Sequence, residues 1–390
     1  MLQIVQPKID LGIKRLPVNI SFVLDCSSSM HGAKIDYTKQ AVQFALGHLD
    51  RDDTVSVVTF SSEVGLLLPA AKAENKDHLI QQVNSIRAGG FTNLSGGLLE
   101  GAAQVKAHFV ENQINRIILL TDGMANQGIT EPERLVTMVK ELRGSAINLS
   151  TLGVGEDFQE DLLVDMAETG DGNFYFIASP DTIPEIFKEE LQGLLNVTGQ
   201  NPEISLVPAE GVAVNAVLGY EPQWGDKIVI RLPDIYNGDT KTVLAELRVK
   251  AQSAGTMPLL KVGLHYFDVI ADLASVKYDV ELGFPVTSDQ AALDSGIDLK
   301  AVKEVEIFKT AQSQKEAMQE ADRGDYDKAR QILAAQRSKL EKLYEATQDV
   351  EVGEQINQLK SNIDHMAHDL YSPMSRKAMM DSTFRLRKKR

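Results

Sequence analysis

Two spacings of apolar residues alternate along the first half of the chain. Val18-Asn19-Ile20-Ser21-Phe22-Val23-Leu24, Thr54-Val55-Ser56-Val57-Val58-Thr59-Phe60 and Ile117-Ile118-Leu119-Leu120-Thr121 are short apolar or β-branched runs. Such runs make strands that are covered on both faces. Between them the period changes to that of a helix, as in 35–49, where Ala41, Val42, Ala45, Leu46 and Leu49 share a face. The same reasoning predicts helices over 79–86, 95–110, 131–142, 158–168 and 183–195, and strands over 147–154 and 174–177. Val64 to Leu68, after a polar turn, predicts an antiparallel edge hairpin. Strands and helices alternating at this interval imply an α/β unit over 15–197, a doubly wound and mostly parallel sheet.

After about Asn196 the helical spacing disappears. Val212 to Val214, Lys227 to Leu232, Thr242 to Val249, Leu259 to Val269 and Ser275 to Phe284 read as strands, and Asn237-Gly238 as a turn. They predict a separate antiparallel β-sandwich over 198–287. Val276, Tyr278, Val280, Leu282 and Phe284 alternate strictly, which predicts one buried face. Residues 1–14, with Leu2, Ile4, Ile9 and Leu11, read as an edge strand that can pair with this sandwich. From 288 to 371 the 3.6 period returns and predicts a small helical bundle. Leu299, Val302, Val305 and Phe308 share one face, Leu333, Leu340 and Leu343 mark a second helix, and Gly324-Asp325 is the turn between them. Val352, Ile356, Leu359, Ile363, Met366 and Leu370 form a seam open to a neighbouring helix or to a partner. Residues 372–390 have little apolar surface and read as a basic tail.

Three loops at predicted strand ends carry oxygen donors. The first strand stops at Asp25-Cys26-Ser27-Ser28-Ser29, a second loop runs Gly89-Gly90-Phe91-Thr92, and the third core strand stops at Asp122-Gly123. In an open α/β sheet, ligand sites form at the carboxyl ends of strands. Asp25, Ser27, Ser29, Thr92 and Asp122 are therefore expected to converge. Carboxylates and hydroxyls are hard donors that suit Mg²⁺, with Mn²⁺ and Ca²⁺ as alternatives.

The combination Asp-x-Ser-x-Ser, distant Thr, distant Asp resembles the metal-ion-dependent adhesion site (MIDAS) of the von Willebrand factor type A (VWA) family, and the order of elements over 15–197 is similar to that family throughout. The resemblance implies that Ser27 and Ser29 coordinate a divalent ion directly and Thr92 directly or through water. It also implies that Asp25 and Asp122 hold waters or hydroxyls from behind. An ion so held is short of direct negative charge and takes a carboxylate from a protein partner. Many members have Gly where this chain has Ser28, which lies between the ligands. Intracellular bacterial members often work with AAA+ ATPases of the MoxR type, which makes such an ATPase the partner class to expect.

The balance of 40 basic and 55 acidic residues gives a net charge of −15, which argues against a general nucleic-acid binder. Residues 376–390 depart from it, with seven Lys or Arg against one Asp, and membrane contact is a minor reading of that tail. A single cysteine, Cys26, suits a reducing compartment; with no signal-like start and no long apolar run, a cytoplasmic location is expected. Gly153-Val154-Gly155 lacks the third glycine of a dinucleotide loop, and neither a phosphate-binding loop nor a Gly-x-Ser-x-Gly elbow occurs. His365 and His368 read as a solvated helix face. The expectation is a non-enzymatic, metal-dependent protein-binding adaptor. The alternative is a self-assembling scaffold that uses the helical seam and the basic tail; a metal-dependent hydrolase is disfavoured because no general base accompanies the loops.

Overall fold

The computed structural model describes residues 1–8, 16–110, 113–250, 253–271, 273–366 and 371–388. The chain divides into two compact units, one of Leu11–Asn196 and one of Met1–Asp10 with Val197–Arg390. It opens on a short strand, β1 (Leu2–Val5), which belongs to the second unit. Ile9 and Leu11, read with it as one strand, lie outside the described residues.

The first unit runs β2 (Val18–Asp25), α1 (Ala33–His48), β3 (Thr54–Phe60), β4 (Val64–Lys72), α2 (Lys76–Val83), α3 (Leu94–Ala107), β5 (Ile114–Thr121), α4 (Pro132–Gly144), β6 (Asn148–Val154), α5 (Glu160–Thr169), β7 (Asp171–Ile177) and α6 (Ile183–Leu195). Its sheet has the order β4-β3-β2-β5-β6-β7, with every neighbouring pair parallel except β3 and β4. This is the Rossmann-like, mostly parallel fold expected over 15–197. The chain leaves β2 for β3 on one side and later crosses to β5 on the other, so the order reverses between β2 and β5. Every residue of those two strands is buried, which is why both read as continuous apolar runs. The crevice at their carboxyl ends is the switch point where such sheets bind ligands.

Helix α3 follows the Thr92 loop and lies tightly on the sheet because two glycines face the strands. A Cβ at Gly97 would come within 2.6 Å of the Phe60 ring, and one at Gly101 would overlap Val23 Cγ2. This close approach sets the distance between the Thr92 loop and the end of β2.

The second unit continues with β8 (Val197–Pro208), β9 (Val212–Leu218), β10 (Ile228–Arg231), β11 (Ile235–Tyr236), β12 (Thr240–Val249), β13 (Gly255–Asp268) and β14 (Ala274–Val286). One antiparallel sheet has the order β1-β12-β9, where Leu2 stands opposite Val243. The other has the order β10-β8-β13-β14, with β11 also on β8. Ile204, Leu206, Ile230 and Val262 from the larger sheet meet Val217 and Val243 from the smaller one in a common core. β8, the inner strand to which β10, β11 and β13 pair, precedes the strands predicted from Val212 onward and has no strand pattern of its own, because Gly199, Pro202 and Pro208 interrupt it. The predicted buried face of β14 is also corrected. Tyr278 and Val280 are 61% and 51% exposed, because β14 is the outermost strand and the core between the sheets stops at its neighbours.

The helices that follow are α7 (Gln290–Ser295), α8 (Leu299–Asp322), α9 (Tyr326–Thr347), α10 (Val350–His365) and α11 (Pro373–Lys388). Asp298, Asp325 and Asp349 cap α8, α9 and α10 by accepting backbone N–H groups. Ile307, Phe308, Ala311 and Met318 form the buried stripe of α8, while Leu299, at its first turn, is exposed. The seam of α10 is turned against α9, with Val352, Leu359 and Met366 buried; Leu370 lies outside the described residues. The expected basic tail is replaced by helix α11. Met379, Met380, Phe384 and Leu386 are buried, Leu386 packs with Ile307 and Ala311 of α8, and Thr383 Oγ1 donates to Gln314 Oε1 at 2.9 Å. The segment cannot fold alone, but four apolar side chains at helical spacing suffice once α8 supplies the other wall. Both surfaces invoked for a self-assembling scaffold are thus engaged within the chain. Among the described residues no helix is long and apolar enough to cross a membrane.

Replacing Gly101 by Ala should cost about 1–3 kcal/mol by forcing α3 off the sheet, read as a lower urea midpoint at unchanged slope.

Candidate metal centre

The buried carboxylate at the end of β2 organises the loop that follows it. Asp25 Oδ1 accepts the Ser27 N–H at 2.7 Å, and Asp25 Oδ2 accepts the Thr121 hydroxyl at 2.5 Å. The first contact is an Asx-type turn that bends the chain away from the strand; the second ties the end of β2 to the end of β5. Ser27 Oγ lies 3.0 Å from Ser29 Oγ, which donates to Asp122 Oδ1 at 2.7 Å. The other oxygen of Asp122 is held by Lys34 Nζ from the first turn of α1 at 2.6 Å. A continuous line of polar contacts therefore runs Thr121, Asp25, Ser27, Ser29, Asp122, Lys34 across the switch point.

The second loop closes over this line. Gly90, at φ +89, offers its carbonyl to both the N–H and the hydroxyl of Ser28, each at 3.1 Å. Ser28 thus ties the first loop to the second; a glycine there would keep the N–H bond and lose the one from the hydroxyl. Thr92 is fixed through its backbone, its N–H donating to Asn126 Oδ1 at 2.8 Å and its carbonyl accepting the Asn126 N–H at 3.1 Å. A Cβ placed on Gly123 would sit 3.6 Å from Thr92 Oγ1 and 3.8 Å from Ser29 Oγ, so both hydroxyls border the space above Gly123. All five residues singled out in the sequence, Asp25, Ser27, Ser29, Thr92 and Asp122, are brought together.

The residues fit a hard divalent cation. Ser27, Ser29 and Thr92 present neutral oxygens, and Asp25 and Asp122 place negative charge behind them. Among the described residues no group of three or more His, Cys, Asp or Glu could hold a metal. A hydroxyl-rich donor set does not require one.

Comparison with known proteins bears on the fold that carries these residues. Residues 19–189 match the model of the von Willebrand factor type A domain. The chain carries a domain of that family. YfbK of Escherichia coli is 29% identical over 63% of this chain and 44% of its own length. Human inter-alpha-trypsin inhibitor heavy chain H3 is 30% identical over 50% of this chain and 24% of its own. The chain thus spans less than half the length of either. The solved von Willebrand factor type A structure from Catenulispora acidiphila superposes with a TM-score of 0.74 over 94% of this chain and 88% of that one; at 17% identity it speaks for the fold alone.

Three further residues of this centre carry no local signal in the sequence: Thr121 is the last residue of a strand run, Asn126 falls between predicted elements, and Lys34 stands just before the helix predicted over 35–49. One glycine of the Gly153-Val154-Gly155 run is required by the backbone: Gly155 sits at φ +77, a conformation that other residues rarely adopt. At the rim, Phe91 and Met124 beside Thr92 and Asp122 are 65% and 60% exposed. Phe91, Ser62, Asn126 and Gln127 line a hollow of about 420 Å³.

Burial is the largest influence on Asp25 and raises its pKa above the ordinary carboxylate value, while hydrogen bonds from Thr121 and Ser27 oppose the rise. Burial likewise pushes the Cys26 thiol up to about 12, which leaves it a packed thiol and not a nucleophile. A carboxyl whose folded pKa is raised binds its proton more tightly folded than unfolded, so stability falls as pH rises from the ordinary value through the raised one. Asp25→Asn should therefore raise the thermal midpoint of the metal-free protein at pH 7, with the gain shrinking toward pH 4, as melts across that range would show.

Proposed function

We propose that the type A domain is a non-enzymatic, metal-dependent protein-binding module. In this reading Ser27, Ser29 and Thr92 hold a divalent cation, Mg²⁺ first, and an Asp or Glu of a partner protein completes its coordination. The bound cation supplies an electrophilic position for that carboxylate. The chain's own residues prepare it: Asp122 orients the Ser29 hydroxyl, Asp25 and Thr121 fix the turn that presents Ser27, and Asn126 clamps the Thr92 backbone. The observation that carries the reading is the Ser27, Ser29, Asp122 string of contacts, with Thr92 beside it over Gly123. Phe91 and Met124 supply apolar contact area for a partner around the polar centre. A MoxR-type AAA+ ATPase is the partner class to test first, on the strength of the family resemblance. The scaffold alternative is not carried forward, since α9 and α8 already cover the seam and the C-terminal helix.

Titration calorimetry with Mg²⁺ or Mn²⁺ alone tests the proposal. One cation per chain is expected; Ser27→Ala should abolish its binding, and Asp122→Asn should weaken it by about 10–100-fold. No heat with wild type, or unchanged affinity in Ser27→Ala, rejects it.

Lys34→Met provides a second check, because it leaves a buried carboxylate without its cation. The metal-free protein should lose about 1–3 kcal/mol, less than for a fully buried pair because the ammonium is partly solvated. Added Mg²⁺ should then raise the melting temperature more in Lys34→Met than in wild type, because it replaces the missing positive charge.

A further inference from the structure

Strand β14 ends its sheet, so among the described residues one of its two backbone edges faces no other strand over 13 residues, Ala274–Val286. Its side chains conflict with that exposure. Val276, Tyr278, Val280 and Leu282 form an apolar face, and Leu282 reaches the core between the two sheets. Tyr278 and Val280 do not reach it. On the opposite face Lys277, Asp279 and Glu281 are exposed. Within the sheet Lys277 stands opposite His265 and Asp279 opposite Gly263, and neither forms an ion pair among the described residues. A long edge of this kind with an uncovered apolar face is a template for pairing with another strand.

The order of side chains identifies the occupant. We infer that a second copy of this chain pairs with β14, antiparallel about a two-fold axis through Tyr278. In that register each Lys277 faces Asp279 of the other copy, twice over by symmetry, and Ser275 faces Glu281. On the apolar face Tyr278 meets Tyr278 and Val276 meets Val280, continuing the surface that Leu282 begins. Neighbouring registers are worse. An axis at Asp279 or Lys277 sets a like pair against itself, and an axis at Val280 sets Asp279 against Glu281. Since directly opposed like charges destabilise a strand pair and opposite charges stabilise it, the Tyr278 register is the one that sets Lys277 against Asp279 with no like pair, while it keeps the apolar residues together on the other face. The contact is isologous and closes as a dimer.

Charge reversal tests the register in the full-length protein. Wild type should run in light scattering at twice the 42.8 kDa chain mass. Lys277→Asp and Asp279→Lys each place like charges opposite one another, and each should weaken the dimer by about tenfold or more. Both positions are exposed, and unchanged thermal melts would show that each variant still folds. Mixed in equal amounts, the two variants should pair again, because the aspartate introduced in one then faces the lysine introduced in the other; native mass spectrometry would detect the mixed dimer. A wild type that stays at 42.8 kDa at the highest concentration it tolerates overturns the inference. So does a dimer indifferent to both reversals, or a mixture that fails to pair.

Discussion

The type A domain depends on a carboxylate placed where two strands part. Asp25 is fully buried at the end of β2, a costly position for an ionised group, and it is sustained there by the Ser27 N–H and the Thr121 hydroxyl. Those two donors do more than satisfy it. One sets the turn that presents Ser27 and Ser29, and the other joins β2 to β5, the strands between which the sheet reverses its order. The tight seat of α3 on the sheet through Gly97 and Gly101 brings the Thr92 loop to the same place.

Charge in this centre is balanced within the fold. Asp25 and Asp122 are fully buried, Ser27 and Thr92 nearly so, Ser29 is exposed, and the partly exposed Lys34 reaches Asp122. The lysine leaves Asp122 one oxygen for Ser29 and takes the other. A site built this way concentrates negative potential without exposing a bare carboxylate to solvent, which suits a cation that must keep a position for an outside ligand.

The second unit shows how local composition yields to its surroundings. α11 carries five Lys or Arg against one Asp, yet its four buried apolar side chains find a wall on α8. β14 shows the reverse: its alternation calls for a cover that the three-stranded sheet opposite does not extend to it.

By itself the sequence determined the alternation of strands and helices over 15–197, the helical hairpin around Gly324, and the five oxygen-bearing residues. Each of these is written in spacing or in residue type at a strand end. Only the tertiary structure decided the rest. Thr121, Lys34 and Asn126 act through partners 96, 88 and 34 positions away, and no local pattern marks a side chain whose partner is so distant. β8 lies inside a sheet although Gly and Pro interrupt it, because hydrogen bonds from strands on both sides outweigh its propensity. Whether Tyr278 and Val280 are covered depends on how far the opposite sheet reaches, a property of the assembled layers that no single strand encodes.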